Sequence, residues 1–251
     1  MGLGRAKLAM GRGVSIWVLE APEGFGDPHV HAHHAIQLTF SLSGSLALYD
    51  ERRAVDATAI AVAPDAPHRF VADGLLVFIF VEPESRAGRA ISEALFAEGP
   101  IVEMDAALLT PLVSDLAATF EPGLTPSDLM TTGETLVAAF APTGAANLPD
   151  PRIRKVIDHA NAHLEPSLAA AAEAAGVYLS PSRLRHMFVE QTGLAYKTYL
   201  LWARLVRALD VYASGQSLTE AAHAAGFADS AHFSRTFKRT FGLPATTLER
   251  L

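Results

Sequence analysis

The sequence predicts an α+β chain in two parts, a β-rich N-terminal half and an all-helical C-terminal half. Three observations carry this. Apolar residues alternate over short runs in the first 85 residues, and from about residue 86 they recur at spacings of three and four. The formal charge also changes sign along the chain. Residues 1–150 hold 8 Lys/Arg against 19 Asp/Glu, and residues 151–251 hold 12 against 8. An acidic part joined to a basic part is the charge pattern of a chain whose second half meets a polyanion.

The elements follow in order. IQLTFSLSGSLALYD alternates apolar with small or polar residues and turns at Gly44; AIAVAPDAPHRF and GLLVFIFVEP are further short strands bounded by Pro, Asp and Gly. Frequent turns between short strands predict a sandwich or small barrel over residues 1–85. RAGRAISEALFAEG, DAALLTPLVSDLAATF and SDLMTTGETLVAAFA read as helices within 86–140, the last in spite of Gly133. Residues 141–150 have Pro, Gly and Asn without periodicity and read as a linker. Beyond Asp150 the pattern predicts helices over 151–164, 168–176, 181–191, 195–213, 218–225, 229–240 and 244–250. Ser180, Ser217 and Asp229 are cap candidates, with Pro181 at a first helical position. Gly193, Gly215, Gly226 and Gly242 fall at helix ends.

Composition closes several routes. There is no Cys among the 251 residues, which excludes disulfides, Cys–zinc sites and thiol catalysis. Half the residues are hydrophobic, enough for a sizeable core. MGLGRAKLAMGRG lacks the apolar stretch of a signal peptide, and no run of about 18 apolar residues predicts a membrane span. A cytoplasmic location is the expectation.

The C-terminal half contains one pattern twice. SLAAAAEAAGVYLSPSRLRHMFVEQTGL begins at Ser167 and SLTEAAHAAGFADSAHFSRTFKRTFGL at Ser217. Each copy runs through Ser-Leu, a short Ala-rich helix, Gly, a cap and a second helix to Gly-Leu. Small Ala residues let the two helices lie close across a tight turn, the packing demand of a helix-turn-helix. Leu184, Met187 and Phe188 anchor the second helix of the first copy, and Phe233, Phe237 and Phe241 that of the second. The opposite faces offer Ser182, Arg185 and His186, and Ser230, His232 and Arg235, as base-reading candidates. Arginine there pairs with the O6 and N7 edge of guanine. Arg183, Lys197, Lys238, Arg239 and Thr240 suit phosphate contacts, which position without specifying.

Residues 151–251 resemble the DNA-binding domain of the AraC/XylS family of bacterial transcription regulators, through LSPSRLRHMF at 179–188 and AAHAAGFADSAHFSRTFKRTFGLPAT at 221–246. The resemblance implies two helix-turn-helix units on a rigid linking helix, entering successive major-groove segments on one face of double-stranded DNA. The chain departs from the family pattern in three places. The turn before LSPS is about two residues longer, Ala231 stands where a larger polar residue often reads a base, and Leu248 replaces the terminal aromatic.

PHVHAHHAIQLTFSLSG at 28–44 carries His29, His31, His33 and His34, and PDAPHRF adds His68. Residues i and i+2 of a strand share a face, so His31 and His33 converge, with Gln37 and His68 nearby. The spacing resembles the two cupin motifs, with Gln37 where the pattern has a glutamate, a poorer metal ligand. The N-terminal part is therefore expected to be a cupin-like β-barrel. His31, His33, Gln37 and His68 either line an effector pocket or, for the three histidines, hold a divalent metal; His29 and His34 are expected to be exposed. Leu38, Phe40, Leu42, Val62 and Phe78 are the expected lining of the interior. The helices of 86–140 are expected to pair two subunits into a homodimer, in keeping with the family.

The whole reads as a transcription regulator rather than an enzyme. Its small-molecule effector binds the barrel, its double helix-turn-helix binds DNA, and RNA polymerase is a partner if it activates. A rival class is a metal-dependent cupin enzyme or metal sensor fused to a DNA-binding domain. A third is a constitutive DNA-binding protein whose barrel only dimerises.

Overall fold

Among the described residues, nine strands are joined in one sheet: β1 (Arg5–Gly11), β2 (Val14–Gly26), β3 (Ile36–Ser41), β4 (Leu46–Tyr49), β5 (Ala54–Asp56), β6 (Ala59–Val62), β7 (Arg69–Val81), β8 (Ile101–Glu103) and β9 (Leu248–Glu249). The main path runs β8-β6-β3-β7-β2-β1-β9, with β4 pairing β5 and β7. The computed structural model describes residues 4–26, 29–50, 53–105, 107, 125–143 and 147–249. Strand pairs are antiparallel, except that β9 lies parallel to β1 with Ala6 opposite Leu248.

Strand parity sorts the sheet's side chains onto two faces. Ile16, Val18, Ile36, Leu38, Phe40, Val77, Ile79 and Val81 form one core with Ile91 of α1 (Arg86–Leu95) and Leu129, Leu136 and Val137 of α2 (Pro126–Phe140). Ser85 caps α1, and Thr125 with Asp128 closes a capping box on α2. Gly133 is tolerated within α2 because the helix lies close on β2: a Cβ there would be 3.1 Å from Ile16. The helix expected around 105–120 lies largely outside the described residues.

Gln37, Thr39, Trp17, Phe78 and Phe80 point to the opposite face. The expected lining therefore divides. Phe78 stands opposite Thr39, and Val62 opposite Gln37, on this second face. Leu38 and Phe40 belong to the helix-covered core, and Leu42 packs against it. Each residue's parity along its strand decides this.

The chain divides into two compact units, residues 147–233 and a second made of 1–146 with 234–251. The helical unit holds α3 (Pro151–His163), α4 (Leu168–Ala174), α5 (Pro181–Thr192), α6 (Tyr196–Ala213), α7 (Leu218–Ala224) and the first turn of α8 (Ser230–Phe241). Ile153, Val156, Ala160, Ala171, Ala172, Leu184, Met187, Phe188 and Tyr199 form a core cluster in it. Asp150, Ser167, Ser180 and Ser217 cap α3, α4, α5 and α7, and Pro181 opens α5. Asp229 caps α8, its Oδ1 accepting from the His232 amide at 2.6 Å. At 18 residues, α6 is about 27 Å long.

Two expectations are corrected at the C-terminus. Of the helix expected over 244–250, the described residues 244–249 form none; a 3-10 turn at Ala245–Thr247 leads into β9. The helical part also does not run to the end of the chain as one unit. From Ser234 onward the chain is part of the sheet unit, because Phe237, Phe241, Leu243, Ala245 and Leu248 are all buried there.

Candidate nucleic-acid interface and sensor face

The helix-turn-helix probes bury their apolar faces and leave most of the polar candidates exposed. On α5, Leu184, Met187 and Phe188 are buried, and Ser182, Arg183, Arg185 and His186 are exposed. Arg185 donates from Nε to the Pro181 carbonyl at 3.3 Å, one turn back. The cap on Ser180 and the left-handed Gly193 fix both ends of α5. Lys197 is exposed in the first turn of α6. On α8, Phe233, Phe237 and Phe241 are buried. Arg235, Lys238 and Arg239 are exposed, and Ser230, His232 and Thr240 are half-buried. The His232 ring meets the edge of Phe227 at 5.3 Å between centroids. Exposed cations over an apolar anchor are the arrangement that phosphate and base-edge contacts require.

On the second face of the sheet, His31, His33 and His68 come together as predicted. His31 and His68 bridge β-fashion through both backbone amides, and their rings are 4.4 Å apart; His33 and His68 are 5.1 Å apart. His33 Nδ1 lies 2.9 Å from the Ala35 carbonyl and Nε2 2.8 Å from the Gln37 side-chain amide, which reaches on to the Thr39 hydroxyl at 2.8 Å. Burial, outweighing these hydrogen bonds, pushes His33 below the usual imidazole range. Burial, and then the charges of His33 and His31, push His68 well below it. A neutral His33 gives one N–H, to Ala35, and accepts at Nε2, so the Gln37 amide must turn its NH2 toward the ring.

Hydrogen bonds engage only part of this cluster, and His68 Nε2 is buried without a hydrogen-bond partner among the described residues. Both nitrogens of His33 are engaged, and His68 gives Nδ1–H to the Ala66 carbonyl at 2.9 Å. Among the described residues no group of three or more His, Cys, Asp or Glu is placed to hold a metal ion. The surroundings are aromatic instead. Phe80 packs edge-on to His33 at 5.2 Å, and Phe241 lies over His33 at 6.2 Å.

His29 is exposed, as expected. His34 is not: it is 3% exposed, clamped between two carboxylates. It donates from Nδ1 to Asp65 at 3.2 Å and from Nε2 to Glu84 at 2.7 Å. Burial alone would lower its pKa, but the two hydrogen bonds and charges prevail and raise it to about 9. Asp65 and Glu84 lie 31 and 50 residues away in sequence, so nothing local announces the clamp.

A feature unforeseen in the sequence is a cavity of about 520 Å³ within the sheet unit. His29, Val30 and His31 form one wall, and Ser234, Arg235, Lys238 and Arg239 another. Three cations assigned to DNA thus also border a largely apolar space.

Comparison with known proteins agrees with these observations. A model of the "Helix-turn-helix domain" family matches residues 172–250. The HTH-type transcriptional regulator YidL of Escherichia coli K12, described as uncharacterized, is 39% identical over 92 residues, 36% of this chain and 31% of that protein. The HTH-type transcriptional activator RhaS of Escherichia fergusonii is 36% identical over 94 residues, 37% of this chain and 34% of that protein. The matches thus span about a third of these relatives. ToxT from Vibrio cholerae superposes with a TM-score of 0.59 over 94% of this chain and 96% of its own, at 12% identity. ToxT has also been solved bound to an unsaturated fatty acid, with a TM-score of 0.56, 11% identity and coverage of 94% and 95%. Residues 172–250 thus match the helix-turn-helix domain family, and over nearly its whole length the chain has the fold of ToxT.

Proposed function

We propose that the protein is a transcription regulator that binds double-stranded DNA through α5 and α8 and answers to a small molecule taken up by its sheet unit. The observation that carries the reading is the pair of capped helices with buried Leu/Met/Phe faces and exposed Arg185, Arg235, Lys238 and Arg239. The relatives are named as regulators, and none of them supports the enzyme alternative. Selection of duplexes from a randomised library by the purified chain tests this; failure to enrich any sequence counts against it.

The effector we infer is a carboxylate with an apolar body. The cavity beside His31 pairs apolar walls with the cations of α8, and ToxT is described with an unsaturated fatty acid bound. A monounsaturated fatty acid should raise the melting temperature of the parent and do so less in a Lys238→Ala/Arg239→Ala variant. At a hundred times Kd the stabilisation is about 2.7 kcal/mol. The histidine cluster then serves as polar wall, and metal analysis of the purified protein should find less than one equivalent. The same reading carries a homodimer formed by the helices of 86–140, a cytoplasmic location and, for an activator, contact with RNA polymerase. Sedimentation tests the first of these.

A further inference from the structure

The two helix-turn-helix units share one plan except at the turn. In the second, Gly226, Phe227 and Ala228 lead to the cap Asp229. In the first, Gly176, Val177, Tyr178 and Leu179 lead to the cap Ser180, one residue more. The turns begin alike. Gly176 and Gly226 are left-handed, with φ of 69° and 74°. Val177 and Phe227 are buried, and their amides donate to Ala172 and Ala222 at 2.8 and 3.0 Å. The difference enters only after that point.

The added length does not fill the core. Val177 joins the cluster around Phe188, and Leu179 packs against it. Alternation along an extended segment then sends Tyr178 the other way. It is 85% exposed, more than any other large apolar side chain among the described residues. The second unit has the small, exposed Ala228 in its turn. Tyr178 stands two residues before the cap of α5, beside the end from which Ser182 and Arg183 project.

We propose that Tyr178 contacts the sugar–phosphate backbone at the rim of the groove that α5 enters, its phenol donating to a phosphate oxygen. This rests on the DNA-binding reading above. Residues in the first turns of a recognition helix reach base edges. A residue ahead of the cap lies outside the helix, where the groove wall is backbone, and tyrosine hydroxyls are among the groups that bond phosphate there. The contact is neutral, so it releases no counterion and leaves the salt dependence alone. It is also confined to the first unit, so it distinguishes the two ends of the bound chain.

The test uses the full chain, with fluorescence anisotropy on duplexes selected from a random library and on the unselected pool. Tyr178→Phe should weaken both by about fivefold, about 1 kcal/mol. The slope of log K against log salt and the melting temperature should stay those of the parent. Tyr178→Ala should weaken both at least as much. A methylphosphonate that weakens the parent at one backbone position should have no further effect on Tyr178→Phe. Parental affinity in both variants overturns the proposal while leaving DNA binding intact. A loss confined to selected duplexes overturns it in favour of base reading. A parent chain that binds no duplex overturns both readings.

Discussion

Trp17 of β2 and Phe237 of α8 lie face to face, with ring centroids 5.9 Å apart and planes within 5°. Phe241 closes on the same indole at 5.0 Å, and Phe80 meets both rings, at 5.0 Å and 5.4 Å. A helix whose outer face carries the exposed Arg235, Lys238 and Arg239 thus has its inner face built into the sheet's aromatic cluster. Phe237→Ala and Trp17→Ala should each cost about 3–5 kcal/mol in denaturant unfolding. The double variant should cost less than the sum, since the two rings share one contact. Full additivity would show that the stack contributes nothing.

Gly242 ends α8 with φ 70°, and a Cβ there would fall 2.5 Å from the His31 ring. Gly242→Ala combines a left-handed alanine with that collision, and about 2 kcal/mol of stability should be lost. Shrinking His31 to Ala in the same chain should relieve part of the loss. Equal loss with or without His31 would leave only the backbone term.

The buried histidines act on stability in opposite pH windows. His34 sits at about 9 when folded against 6.5 when unfolded. Its contribution is complete below pH 6.5 and disappears as the pH rises through 9, a span on the order of 3 kcal/mol. His33 and His68 are lowered, so theirs is present above pH 6.5 and lost as the pH falls. Unfolding midpoints between pH 5 and 10 should peak near 6.5. His34→Gln should flatten the alkaline side and keep the acid side; a persisting alkaline slope would assign it to another group.

Arg235 and Lys238 separate reading from positioning. Arg235→Ala should cost about 1–3 kcal/mol on the selected site and relax preference at one base pair. Lys238→Ala should weaken every duplex and reduce the salt slope by about one. Uniform weakening by Arg235→Ala would make it a phosphate contact, and an unchanged slope would move Lys238 off the backbone.

The probes were legible because caps and Ala-rich packing are local: Ser180-Pro181, Ser217 and the Phe ladder of α8 each decide their own turn. Which surface the Phe ladder meets was not legible. Phe237 pairs with Trp17 across most of the chain, and no local pattern encodes such a partner. The convergence of His31, His33 and His68 followed from strand parity. The burial of His34 did not, because Asp65 and Glu84 arrive from distant loops. Parity also divided the expected pocket lining, since Leu38 and Gln37 are neighbours in sequence but face opposite ways.

The parallel pairing of β9 with β1 makes the helical unit an insertion within the sheet unit rather than an appendage to it. During synthesis the β1 edge cannot be paired until residues 248–249 have emerged. A gene cut after codon 146 encodes a sheet unit whose Trp17 and Phe80 have lost the cover of Phe237 and Phe241. Chimeras meant to exchange DNA specificity should therefore keep α8 (Ser230–Phe241) whole, together with the helices before it.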